Sequence, residues 1–414
     1  MRFSDLSDRD RRRPAAKPAA PEKAPPPAKA HIPVKPAPPV KVPATLPLDS
    51  PLPDFPVIGP SAPPPAAPPV RQDPAVPAGR SPARAEKVRE EGERPFGELD
   101  PLARELYSGA LVLAKDLLTS IDRPYLDGCD RFVKFSDILH RGLAGNPLLL
   151  RYTFHATADD YLYAHSANVA VISQAVGLAM GLDKGDLGLL GFCALAHDIG
   201  MTSRSALANS DRRLTDAEYE DFMRHSEEGA EKIGRMLGLD QEFKERAADV
   251  ILQVHERIDA SGYPDRLKNG EIGQLAQIIG IADVYEAMSH PRPWRRAAHP
   301  HEAVKYLIEK EGRGFDSSVV KAVMRALSIY PPGSLVSLSG GEIGEVVRVN
   351  RHSLTRPVVS VLLDKDFNPV ARRLVDLLQH PLAGIENIVD ETELAARNPK
   401  FSAQRELARW WVEW

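Results

Sequence analysis

After Phe96, apolar residues recur every three or four positions, the spacing of helices that bury one face. In LDPLARELYSGALVLAKDLLTSI, Leu102, Leu106, Ala110, Leu113 and Leu117 fall on one stripe. KFSDILHRGLAGNPLLLRYTF predicts shorter helices punctuated at Gly145 and Pro147. AHSANVAVISQAVGLAMGL predicts a helix ending near Gly181, and DLGLLGFCALAHDIG another ending at Gly200. Thr215 and Glu218 form a capping box that opens one helix over TDAEYEDFMRHSEEGAEKIGRML. KERAADVILQVHER, GQLAQIIGIADVYEAMS, HPHEAVKYLIEK and SSVVKAVMRAL continue the helical run with short connections. Beyond YPPG at Tyr330 the period becomes two. SLVSLSGGEIGEVVRVN and RPVVSVLLDKDFNPV carry alternating β-branched residues and Gly-Gly or Asp-rich turns, the pattern of strands. The fold class is mostly α, followed by a small β-rich appendage; RELARWWVEW closes it as a short amphipathic tail suited to packing.

Composition separates the first 95 residues from the rest. Of 38 prolines in the 414-residue chain, 25 precede Phe96, in stretches such as PAAKPAAPEKAPPPAKAHIPVKPAPPV. Few large apolar side chains accompany them, so burial cannot offset the entropy of ordering, and a disordered, polyproline-like tail is expected. Four segments follow: the tail at 1–95, a helical N-terminal region at 96–160, a helical domain at 161–329, and the β-rich region at 330–414. The net charge of −4 predicts no bulk affinity for nucleic-acid polymers or membranes. The start MRFSDLSDRDRRRP lacks the apolar core of a secretory signal, and no stretch reaches the length of a membrane span. With only Cys129 and Cys193, no disulfide framework is expected, and Cys193 reads as a small core residue. A cytoplasmic protein follows from these expectations.

Candidate chemistry is carried by imidazoles and carboxylates set in otherwise apolar or amphipathic helices. His165 lies in AHSANVA, His197 and Asp198 in LAHDIG, His225 in MRHSEEG, His255 in QVHER and Asp283 in GIADVYEAMS. Singly, each also reads as a capping group or a satisfied core residue. Together they suit zinc, iron, manganese or related divalent cations. Adjacent helical residues diverge by about 100°, so His197 and Asp198 serve one site only near a helix end or where the site is broad. A carboxylate there can bridge two cations while the imidazole holds one, an arrangement suited to cutting phosphodiesters.

The motifs HSANVA, HDIG, LTDAEYEDFMRHSEEG, HERIDASGYP, IIGIADVYEAM and RPWRRA, in this order over Tyr161 to Leu327, resemble the HD-GYP branch of the HD metal-dependent phosphohydrolases. YPPGSLVSLSGGEIGEVVRVN resembles the segment that often follows such domains. The resemblance implies an HD-type helical domain that hydrolyses cyclic di-GMP to linear pGpG or GMP, using divalent iron or manganese in bacterial second-messenger signalling. Carried over by position, His165, His197, Asp198 and Asp283 hold one cation, and Asp198 bridges to a second held by His225 and His255. Gly262, Tyr263 and Pro264 shape the loop beside the substrate, while Arg292 and Arg295 approach its phosphate or base.

The chain departs from that pattern at Val254, where a histidine is usual, and at Met201, where a lysine meets the phosphate. Tyr161 stands where three-metal members carry Glu, so two cations are expected rather than three. Ala260 replaces a common Gly, which restricts the backbone there. These departures leave two further readings open: a domain that senses a nucleotide or protein without turnover, and a phosphohydrolase for another nucleotide. A protein partner for the proline-rich tail and a homodimer through the N-terminal helices complete the expectations.

Overall fold

A computed structural model describes residues 96–408, apart from 156–160, 209, 211, 213, 292–296 and 351–352. The proline-rich tail, Arg292, Arg295 and the last aromatic residues lie outside this set. Helices α1 (Phe96–Ser120), α2 (Asp130–Gly145) and the short α3 (Leu149–Tyr152) lead into α4 (Tyr161–Met180). Helix α4 is apolar on every side and buried along nearly its whole length, the signature of a helix inside a core. It packs against α1, α2 and α5 (Lys184–Ala196), whose Asp183 side chain caps the Asp186 N–H. On α1 the buried face is broader than the expected stripe. Ala103, Tyr107, Ala114 and Leu118 join Leu106, Ala110 and Leu117, while Leu102 and Leu113 are half-buried. Cys193 is fully buried, as its apolar surroundings predict.

A 3₁₀ turn (Ile199–Arg204) follows α5, then α6 (Ser205–Ala208), α7 (Asp216–Met223), α8 (His225–Gly234) and α9 (Gln241–Gln253). The capping box at Thr215 and Glu218 opens α7 as expected. The single helix expected across TDAEYEDFMRHSEEGAEKIGRML is broken at Arg224. The physical reason is local: His225 Nδ1 takes the Phe222 carbonyl at 2.6 Å, an acceptor that a continuous helix assigns to the Ser226 N–H. Likewise α5 ends at Ala196 rather than Gly200, and α9 at Gln253 rather than Arg257. Helices α10 (Gln274–Ser289), α11 (Pro300–Tyr306) and α12 (Ser317–Leu327) complete the helical part. Residues from α1 through α12 share one buried cluster.

The strands are β1 (Leu335–Leu338), β2 (Ile343–Asn350), β3 (Ser353–Leu363), β4 (Pro369–Asp376) and β5 (Ile385–Ile388), in the order β4-β3-β2-β1-β5 with every pair antiparallel. One face buries Val336, Val346, Val359 and Val361. The other packs Leu363 and Phe367 against Leu394 of α13 (Glu391–Arg397). Helix α14 (Pro399–Ala408) carries Arg405, whose guanidinium donates to Glu345 at 3.1 Å and to the Gly333 carbonyl at 2.7 Å. Arg151 of α3 lies 3.7 Å from the same carboxylate, so Glu345 ties the sheet to the helices.

Candidate metal centre

Five chain segments meet where α4, α10, the start of α8 and the ends of α5 and α9 converge. His165 lies one turn into α4, and Asp283 lies in α10, which packs against it. His197 is the C-cap residue of α5, and Asp198 leaves the helix with φ −101° and ψ 16°. That departure lets neighbouring side chains serve one site. His225 begins α8, and His255 follows the last turn of α9. Gly200 makes the approach of α8 possible: a Cβ there would stand 2.0 Å from the His225 carbonyl oxygen.

The six side chains form two groups. In the first, His165 Nε2 lies 3.2 Å from His197 Nε2, 3.3 Å from Asp283 Oδ1 and 3.5 Å from Asp198 Oδ2. In the second, His225 Nε2 lies 2.9 Å from His255 Nε2 and 3.5 Å from Asp198 Oδ1, which is 3.8 Å from His255 Nε2. Asp198 therefore turns one oxygen to each group. Asp283 does so more loosely, its Oδ2 lying 3.7 Å from His255 Nδ1. Within each set of three, His165–His197–Asp283 and Asp198–His225–His255, the donor atoms lie within 4.8 Å of one another.

Tautomer logic tests whether this donor set fits cations. His165 Nδ1 faces Glu286 Oε2 at 2.5 Å, and His197 Nδ1 faces the Ala194 carbonyl at 2.9 Å. Both acceptors require an N–H, so both Nε2 atoms turn lone pairs toward each other at 3.2 Å. That arrangement is repulsive unless a proton on His165 or a cation sits between them. Burial alone would depress the His165 imidazole, but Glu286, Asp198 and Asp283 lift its proton affinity well above the ordinary value. Burial keeps His197 below its usual range and, with His255 beside it, pushes His225 down to about 4. Burial opposes charge on Asp283 too, yet the His165 contact holds its carboxyl down to about 2; Asp198 is held well below its usual range among the imidazoles. Neutral His197 and His225, ionised carboxylates and a His165 that can exchange its proton for a cation make a mixed nitrogen and oxygen donor set that fits borderline divalent cations.

Residues 155–319 match the HD domain family, and residues 335–397 match the KOW domain associated with HD domain. The cyclic di-GMP phosphodiesterase PA4108 of Pseudomonas aeruginosa is 36% identical over 225 residues, 53% of this chain and 53% of that protein. The cyclic di-GMP phosphodiesterase response regulator RpfG of Xanthomonas campestris is 32% identical over 164 residues, 39% of this chain and 43% of that one. The 3'3'-cGAMP-specific phosphodiesterase 3 of Vibrio cholerae is 28% identical over 174 residues, 42% and 37% of the two chains. Residues 155–319 are thus similar to the HD domain family, and the named relatives support a likeness to its HD-GYP group. The chain spans about half the length of the first of these relatives, and less of the other two.

The HERIDASGYP loop stands against the second donor group. Tyr263 stacks on His255 with ring centroids 5.0 Å apart and meets His225 edge-on at 6.1 Å. Burial raises the Tyr263 phenol well above its usual range, so it stays protonated. Gly262 is packed so closely that a Cβ would lie 2.5 Å from the His255 carbonyl oxygen. Pro264 follows through a cis peptide bond. Of the departures, Val254 and Met201 are buried, and the Tyr161 ring lies 6.2 Å from that of His165. Ala260 is held at φ 61°, the left-handed region its replacement of Gly makes costly.

Sequence reasoning missed the carboxylates that support the site. Buried Glu256 accepts the Asp265 and Leu267 N–H groups at 2.6 and 2.9 Å, bracing the loop. Glu286 orients His165 as described. The signal was present in the spacing: Glu286 stands one turn after Asp283, on the same helix face.

Proposed function

We propose that this HD domain is a metal-dependent phosphodiesterase that opens cyclic di-GMP to linear pGpG, to GMP or to both. The observation that carries the reading is Asp198, whose two oxygens face two separate groups of nitrogen donors. A pair of divalent iron or manganese ions held there supplies a nucleophile at neutral pH and neutralises charge developing on the phosphate. Asp198 would stand between the two positions, with His165, His197 and Asp283 holding one cation and His225 and His255 the other. Tyr263, beside His255, walls the second position and offers a protonated phenol to a substrate oxygen. Arg292 and Arg295, outside the described residues, are the cationic groups this reading assigns to the phosphate or base.

The names of the relatives place two substrates in the test, cyclic di-GMP and 3'3'-cGAMP. Full-length protein loaded with manganese or with iron under reducing conditions is incubated with each, and the products are separated by chromatography. Turnover of cyclic di-GMP that disappears in Asp198→Ala supports the proposal; intact nucleotide after hours refutes it. Preferential turnover of 3'3'-cGAMP shifts the substrate and keeps the chemistry.

A second reading, nucleotide sensing without turnover, is favoured by Met201 and Val254, which put apolar side chains where the resemblance places a phosphate contact and a ligand. It requires nucleotide binding that survives Asp198→Ala with no product formed. Among the described residues, no helix is long and apolar enough to cross a membrane.

A further inference from the structure

A hydrogen-bond chain runs from the first ligand group to a helix that lies before the segment matching the HD family. His165 Nδ1 faces Glu286 Oε2 at 2.5 Å, and Glu286 Oε1 accepts from Asn168 Nδ2 at 3.1 Å. Asn168 Oδ1 accepts from the Tyr107 hydroxyl at 2.7 Å. Tyr107 belongs to α1, and Tyr107 and Asn168 are each 0% exposed, Glu286 2% and His165 3%. The spacing is helical: Asn168 stands one turn after His165, and Glu286 one turn after Asp283.

The chain has one polarity. A carboxylate only accepts, so Glu286 draws an N–H from His165 and an N–H from Asn168. The Asn168 amide must then turn its carbonyl to Tyr107, and the phenol must donate. The phenol stays protonated because burial and the Glu286 charge push it far above its usual range. Each group thus fixes the orientation of the next, and the last one fixes the His165 tautomer that turns Nε2 into the site.

We infer that Tyr107 and Asn168 are positioning residues for the metal centre, acting through Glu286 to hold His165 with its Nε2 lone pair facing the first cation. Helix α1 thereby takes part in setting the affinity of a site to which it contributes no ligand. This inference rests on the metal-centre reading proposed above. It goes beyond that reading because it names a group outside residues 155–319, Tyr107, as a determinant of cation affinity.

The test uses full-length protein and manganese alone, with binding read by the loss of the free-ion resonance signal, and the absorption bands of the cobalt-loaded protein as a second readout. Removing one buried hydrogen bond by Tyr107→Phe weakens the tighter manganese equilibrium by about three- to tenfold and shifts the cobalt bands. Glu286→Gln weakens it by about ten- to a hundredfold. The double variant is no weaker than Glu286→Gln alone, because Tyr107 acts through that carboxylate. Tyr152→Phe removes a neighbouring hydroxyl that bonds to Asp100 instead, and leaves binding unchanged. Wild-type affinity and spectrum in Tyr107→Phe, or fully additive losses in the double variant, overturn the relay while sparing the metal centre. Wild-type protein that binds no manganese or cobalt overturns both. If Tyr107→Phe fails to fold, Asn168→Ala is read by the same two signals.

Discussion

Gly200→Ala tests whether the closeness of α8 to the HDIG turn creates the second ligand group. The added Cβ would lie 2.0 Å from the His225 carbonyl oxygen, 2.8 Å from its carbon and 2.9 Å from the Gly229 nitrogen. All three are backbone atoms, so no side-chain rotation relieves the clash. Restoring an ordinary contact of 3.4 Å requires a shift of about 1.4 Å. His225 Nε2 is now 3.5 Å from Asp198 Oδ1, and that displacement along the same line opens the gap to about 4.9 Å. Two metal–ligand bonds of about 2.0–2.2 Å cannot span donors that far apart. The variant should therefore retain the first cation and lose the second, with kcat/KM lower by about a hundredfold or more. Overpacking should also cost about 1–3 kcal/mol of stability. Manganese titration, turnover and thermal melting of the same preparation read all three quantities. Two cations bound at wild-type affinity in the folded variant would refute the reasoning.

Three further predictions follow from different parts of the molecule. Ala260→Gly relieves a left-handed alanine at φ 61° and should stabilise by about 0.5–1 kcal/mol after the entropy of glycine is charged against it; an unchanged urea midpoint would count against that strain. Binding of the first cation should displace a proton from His165, whose proton affinity is raised, so apparent affinity climbs by up to about tenfold per pH unit until pH passes that raised value. His225, pushed down to about 4, should release none at neutral pH; calorimetry in buffers of different ionisation heat counts the protons, and zero release contradicts the assignment. Arg405→Ala leaves the largely buried Glu345 with Arg151 as its remaining ion-pair partner among the described residues and should destabilise the chain by about 1–3 kcal/mol, seen in denaturant unfolding; an unchanged midpoint would mean that Glu345 is not the tie between sheet and helices.

The helical content and the change to strands at Tyr330 were legible because hydrophobic period is a local property. The break at Arg224 was not. Apolar spacing runs straight through MRHSEEG, and only the competition of His225 Nδ1 for the Phe222 carbonyl ends the helix there. The strand order was equally hidden, since β5 returns to pair with β1 across some fifty residues that carry no local mark of the pairing. The six imidazole and carboxylate residues could be picked out as a set because their motifs occur in a known order. The resemblance also implied their grouping into two sets sharing Asp198; the looser approach of Asp283 Oδ2 to His255 required distances.

The supporting carboxylates show why such residues escape a reading by motif. Glu256 sits among the charged residues of HERID and Glu286 in the largely apolar run IIGIADVYEAM, and neither belongs to the ligand set that the motifs mark. Folding buries both: one is 1% exposed and the other 2%. A carboxylate buried without donors would cost several kcal/mol, so each must find N–H groups, and each finds them on a segment that bears a ligand. Glu256 gathers the N–H groups of Asp265 and Leu267 and thereby braces the loop after His255, while Glu286 takes the N–H of His165 itself. The penalty for burying charge thus becomes a constraint on ligand geometry. It follows that Glu256→Gln and Glu286→Gln, which keep the volume and remove the charge, should loosen the loop and the first ligand group separately rather than unfold the chain.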